Sequence, residues 1–350
     1  MSHPDATSAH TPIARVVGLA LGLVALVGVL VLAFSWPTVT IDPKDLPVAI
    51  AGPERAVTAA TEAIDEKADG AIALETVDDR DAAVDAIEQR DVYGAIILGE
   101  QPEVLIASGG SLAVAQMLTG VAETLQEGVN AQAQAAAAAA GAPAPDTIVV
   151  AVTDVVPLAD TDARGTGIAT AMFPLVLGGM IGGIAVSLVV IGALRRVAAV
   201  IVYGAGGGLL LGWVLGGWFG SLQGDYWANA AAIGLTLIAI AAPITGLVAL
   251  IGRAGIAFGP VVMLLFANPL SAAAVPKEFL LAPWGEVGQW FPPGAAATLL
   301  RDLSYFPDAD TSFPWLVLGA WALGGLLLSV VGHFRTAGGA EPDAEAAVAV

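Results

Sequence analysis

The chain has no cysteine among its 350 residues, which excludes disulfides, thiolate metal sites and a cysteine nucleophile. Lysine is almost as scarce. Lys44 follows Pro43, Lys67 follows Glu66 and Lys277 follows Pro276, so no Gly-Lys pair exists and no phosphate-binding Walker loop. Histidine occurs three times, at His3, His10 and His333, without metal-ligand spacing, and no cofactor or metal is implied. Basic residues number 13 against 32 acids, too few and too scattered to bind a phosphate backbone, so nucleic acid is excluded as a partner. Charge of either sign makes up only 13% of the chain while the mean hydropathy is +0.79, which is the composition of a protein that mostly avoids water.

The acidity is local. Residues 36–165 hold 22 of the acids and 6 of the bases, and apolar runs fill most of the remainder. Val16 to Phe34 is long enough to cross about 30 Å of hydrocarbon at about 1.5 Å per residue. Arg15 precedes it, and no small-residue cleavage site follows, so it reads as an uncleaved signal anchor. Further runs lie at about 167–193, 197–220, 228–251, 255–275 and 313–333. The expected fold is a polytopic α-helical membrane protein with six transmembrane helices and an extracellular α/β domain between helices 1 and 2. Its parts are a tail at 1–12, the first helix at 13–35, the α/β domain at 36–165, helices 2 to 5 within 166–275, a re-entrant segment at 276–312, the sixth helix at 313–334 and a tail at 335–350. If every run spans, Arg15, Arg195, Arg196, Arg253 and Arg335 share one side, and the positive-inside rule makes that side, with both termini, cytoplasmic.

Within 36–165, short apolar runs alternate with polar helical stretches. Val48 to Ala51, Ala71 to Leu74, Tyr93 to Leu98, Val104 to Ile106 and Ile148 to Val152 read as strands, and Glu54 to Lys67 and Arg80 to Gln89 as helices. Ser111 is a natural N-cap for a long helix that carries Val114, Leu118, Val121 and Leu125 on one stripe and ends at Gly141-Ala142-Pro143.

Chemistry-bearing motifs are few. Asp160/Asp162 and Asp308/Asp310 lack the glycine and closing glutamate of a calcium loop and read as turn residues. No ionisable residue lies centrally in any run, which argues against proton-coupled transport. Gly204, Gly208, Gly212, Gly216 and Gly220 recur every four residues, a face that lets another helix approach closely, either within the chain or at a subunit interface. The stretch from Asn268-Pro269 through Trp284 and Trp290 to Pro292-Pro293 is too apolar for a solvated loop, yet too broken to span. It reads as two short helices dipping into the outer leaflet, serving as a structural cap or as an outer gate.

Asn268-Pro269-Leu270-Ser271, then Trp284-Gly285, then Gln289-Trp290-Phe291-Pro292-Pro293-Gly294-Ala295, placed after one span, a large outer domain and four more spans, resemble the membrane subunits of type-2 ABC transporters, in particular the branch of the phage infection proteins. The resemblance implies a six-span permease that works as a homodimer or as a heterodimer with a related permease. It also implies re-entrant helices before the last span, and a separate ABC ATPase that docks on the short loop containing Arg195 and Arg196. The chain itself would not be an enzyme. The expected function is export of an amphipathic or lipid-like molecule; the alternative is a membrane-anchored scaffold or surface receptor whose outer domain binds a partner.

Overall fold

The first helix, α1 (Ile13–Val39), runs four residues past its expected end because the Thr40 N–H and hydroxyl both donate to the Trp36 carbonyl, closing the turn behind Pro37. In the computed structural model residues 11–68, 70–143 and 145–336 are described; His3, His10 and the tail from residue 337 lie outside them.

The α/β domain comprises β1 (Leu46–Ala51), α2 (Glu54–Ala68), β2 (Ile72–Thr76), α3 (Arg80–Glu88), β3 (Gly94–Ile97), β4 (Glu103–Ile106), α4 (Leu112–Ala139) and β5 (Ala151–Asp154). Its sheet order is β2-β1-β3-β4-β5, parallel except for the β3–β4 pair. Alternation along β1 divides the domain into two layers. Val48 and Ile50 pack with α2 and α4, while Ala49 faces Ala83 and Ile87 of α3 on the other side. Helix ends follow their capping chemistry. The Ser111 side chain accepts from the Val114 N–H at 3.4 Å, and Gly141, at φ +65°, lets the Ala142 N–H return to the Ala137 carbonyl at 2.9 Å.

The helical bundle comprises α5 (Gly167–Val189), α6 (Ala193–Gly212), α7 (Tyr226–Ile251), α8 (Trp284–Gln289), α9 (Pro292–Tyr305) and α10 (Ser312–Thr336). Among the described residues five helices are long and apolar enough to cross a membrane: α1, α5, α6 with its continuation to Trp218, α7 with its continuation to Ala257, and α10. The expected span at 255–275 is not a regular helix. The chain turns back at Gly252 (φ +71°), forms a 3-10 segment (Gly252–Ala257) and then a π-helical segment (Gly259–Ala267) that ends at Asn268-Pro269. Glycine at 255 and 259 allows this return strand to lie directly on the Leu247 carbonyl and the Ile244 side chain of α7. Apolarity alone does not distinguish such a segment from a regular helix.

α7 is the hub. Two-thirds of its most apolar stretch is buried inside the protein (67%), against none of the corresponding stretch of α1. A Cβ placed at Gly204 or Gly208 of α6 would sit 2.8 Å from the Gly234 carbonyl oxygen or 2.3 Å from that of Ala230. Gly183 of α5 faces the Ala241 backbone, and Gly325 of α10 faces the Pro243 nitrogen just as closely. The glycine face of α6 is therefore an internal contact, but it covers only Gly204, Gly208 and Gly212. After Gly212 the helix continues as a π-helical segment (Trp213–Trp218), whose wider winding turns Gly216 toward Leu222 instead of α7. Gly220 lies beyond the helix at φ +63°, against Thr161.

Gly208→Val should destabilise the purified protein by about 1–3 kcal/mol through overpacking. Gly206→Val, where an added Cβ meets nothing within 4 Å, should leave thermal unfolding almost unchanged. Equal melting of the two variants would remove the close-approach argument.

Candidate functional site

α9 links the two halves of the molecule. Pro292 and Pro293 occupy its first turn, where a missing N–H costs nothing, and both are buried. Most of the helix is enclosed, with Ala295, Ala296, Leu299 and Leu300 joining Ile233 and Leu237 of α7 and Leu318 of α10 in one cluster. The turn before it is equally tight. An added Cβ at Gly285 or Gly288 would collide with the carbonyls of Lys277 or Leu270, and at Gly294 with that of Gly288. The glycines of this stretch are thus set by backbone-to-backbone contact.

The aromatic residues of the stretch form a belt around this core. Trp284 meets the Trp36 ring of α1 at 6.4 Å and Phe266 at 6.0 Å, both edge to face. Trp290 packs on Phe313 at 5.0 Å, and its carbonyl accepts from the Trp321 indole at 2.9 Å. Asn268 closes the π-helical segment by donating its N–H to the Met263 carbonyl, and Pro269 begins the turn that follows. Five of the six residues read as an outer gate therefore lie in, or directly against, the packed layer around α9. Trp290 is the exception, 60% exposed on the layer's rim.

The α/β domain grips the C-terminal end of α9. Arg90, just after α3, holds a left-handed backbone at φ +63°, an unfavourable conformation for a residue with a Cβ. That turn carries its side chain to Asp302, with which it pairs, and over the Phe306 ring at 5.5 Å. Both partners are largely buried, with side chains 17% and 5% exposed. Nearby, the Tyr93 hydroxyl donates to Glu278 at 2.8 Å. Burial pushes that hydroxyl far above the ordinary tyrosine range and the Glu278 carboxylate adds to the shift, so it stays protonated and remains a donor. The Asp42 and Lys44 N–H groups, in the linker from α1, donate to the carbonyls of Phe279 and Glu278, each at 3.1 Å. On the bundle side, Gly224 lies against the Leu303 carbonyl and the Gln223 N–H donates to the Ser304 hydroxyl. A polar cavity of about 430 Å³ remains at this junction, bordered by Arg90, Tyr93, Lys277, Gln289 and Arg301. Arg301 donates to the Ala273 carbonyl at 2.9 Å.

The other sequence candidates fall elsewhere. Arg195 is exposed at the start of α6, at the bundle end opposite the α/β domain, whereas Arg196 is partly engaged through an Nε donation to the Val190 carbonyl that finishes α5. Asp162 caps α5 by accepting from the Thr166 and Gly167 N–H groups, and Asp310 accepts from Ser312 at the start of α10. His333 lies in α10 beside Phe334. Among the described residues no group of three or more metal-ligating side chains converges. Arg90 and Tyr93 were not among the sequence candidates. Only the fold brings Arg90 to a partner 212 positions away. No protein-family model matches the chain, and no curated protein or solved structure shows significant similarity to it.

Arg90→Ala strands the Asp302 carboxylate, so it should cost about 3–5 kcal/mol. Replacing both residues by leucine should recover most of that loss in thermal unfolding. Arg80→Ala removes an ion pair with Glu103 whose arginine is 45% exposed, and it should change little. A single Arg90 variant as stable as the Arg80 variant would show that the junction pair does not hold the domain.

Proposed function

We propose that the chain is the permease subunit of an ATP-driven exporter, acting on an amphipathic or lipid-like molecule, with ATP hydrolysed by a separate subunit. The observation that carries this reading is α9, a short helix enclosed among apolar helices and held at its end by a folded polar domain. A membrane anchor needs one helix. This bundle instead encloses a segment that cannot itself span and ties it to a domain outside the bundle, an arrangement suited to transmitting movement between the two. The resemblance to type-2 ABC permeases assigns the same region to re-entrant helices.

In this reading six segments cross the membrane, the irregular stretch at about 255–275 supplying the fifth. Both termini are cytoplasmic and the α/β domain is outside, because Arg15, Arg195, Arg196 and Arg253 occupy the end away from that domain. Arg195 is the contact for an acidic surface on the ATPase, since its head is exposed while Arg196 is committed to the Val190 carbonyl. Asn268, Pro269, Trp284, Trp290, Pro292 and Pro293 shape the outer gate, and the functional unit is a homodimer or a heterodimer with a related permease.

Two measurements test this. A membrane-impermeant maleimide applied to intact cells should label Asp85→Cys and not Ala254→Cys, both exposed positions in a chain without native cysteine. Gentle extraction of the tagged protein should bring down an ATP-binding chain, and Arg195→Glu should reduce its recovery several-fold. Repeated recovery without any such chain would favour the scaffold or receptor reading.

A further inference from the structure

On the sheet face that carries α2 and α4, the two helices stand apart. A trough of about 900 Å³ separates them. The α2 wall is formed by Ala56, Ala59, Ala60 and Ala63, and the α4 wall by Met117, Gly120, Val121, Thr124, Leu125 and Gly128. In both helices these positions recur at steps of three and one, so each wall is a single unbroken helical face. Ile72, Ile96 and Leu98 make the floor. Faces of this kind normally close on each other to bury their apolar surface. Here the space is kept open by small residues; a Cβ added at Gly120 or Gly128 meets nothing within 4 Å.

The electrostatics of the trough run against those of its domain. Residues 36–165 carry 22 acids and 6 bases, yet among the described residues no acid lines the trough, and Arg55 is the one ionisable residue in its lining. Arg55 lies at the end where β3 finishes, since the neighbouring Gly52 sits directly on Leu98. Gln132 lines the same end, beyond Asn130, whose side chain binds the Ile148 backbone near the start of β5. The opposite end, at Met117 and Ile64, is apolar and faces the helix bundle. From Met117 to Gln132 the trough extends about 22 Å along α4.

We infer that this trough binds the hydrocarbon chain of a single-chain anionic amphiphile, with the head at Arg55 and Gln132 and the chain running toward the bundle. A long, narrow, apolar space with one cation and one amide at its far end matches the requirements of such a molecule. A second copy of the domain is a poor occupant, because two domains that each hold 22 acids and 6 bases repel as they approach. The inference deepens the export reading by naming the class of cargo, and its physiological meaning rests on that reading.

The test uses the full-length protein in phosphatidylcholine nanodiscs and a palmitic acid analogue carrying a mid-chain diazirine. After irradiation, peptide mapping should place adducts on α2 and α4. Gly120→Leu combined with Gly128→Leu fills open space and suits a helix, so it should remove those adducts while thermal unfolding stays unchanged. Arg55→Gln should lower labelling by the acid roughly tenfold, the loss expected for one charge-assisted hydrogen bond, and leave labelling by the corresponding neutral alcohol unaffected. Adducts confined to α1 and the other long apolar helices, unchanged labelling of the filled variant, or cross-linking of a second chain into the trough would each overturn the inference. Trough labelling in a protein that recruits no ATPase would leave the site standing and remove the export reading. Recruitment of an ATPase without trough labelling would do the reverse.

Discussion

Backbone contact with α7 is the constraint on which the bundle depends. In a medium as apolar as the helices themselves, burial of hydrocarbon gives little reason for one helix to prefer another, and close van der Waals approach decides the arrangement. α5, α6 and α10 each reach α7 through glycine: Gly179 and Gly183, then Gly204 and Gly208, then Gly325 and Gly332. The Tyr203 hydroxyl adds a directional bond, donating to the Gly178 carbonyl across the α5–α6 contact at 2.7 Å. Because α7 is fixed on these sides, the return strand and α9 have a surface to fit.

The α/β domain obeys different rules. It has a conventional layered core, built on a β1 strand buried on both faces and on capped helices. Its attachment to the bundle uses polar groups that water would weaken. Arg90 pairs with Asp302 where both are shielded, and Tyr93 keeps its proton for Glu278. A buried pair of this kind adds little net stability compared with an apolar contact, but it tolerates few alternative geometries. Domain and bundle are therefore held in one orientation by chemistry that specifies position more than it adds strength.

Much of this was legible in the sequence, for identifiable reasons. Four of the five strands were found by their short apolar runs, and the N-cap at Ser111 and the stop at Gly141 by their residue types. The last strand was expected at 148–152 and forms at Ala151–Asp154. Side chains of α4 take its earlier backbone groups, Asn130 binding Ile148 and Gln126 the Val150 N–H, and the ladder begins only afterwards. The glycine spacing of α6 located a real face, yet could not show that a π-helical segment interrupts it after Gly212. An apolar run likewise carries no mark of the winding that turned 255–275 into a broken element. The junction was least legible, since nothing around Arg90 in the chain points to Asp302, and the trough is visible only once α2 and α4 are seen to stand apart.

The central place of α7 also sets an order of events during synthesis. α5 is complete at Val189 and α7 only at Ile251, 62 residues later, an interval of about three to twelve seconds at ordinary translation rates. Through that interval the glycine faces of α5 and α6 have no proper mate. Any other helix with small residues is a possible wrong partner. α10 arrives last and closes the remaining side of α7 through Gly325 and Gly332, so a chain interrupted before residue 312 would leave its most buried helix uncovered on that side.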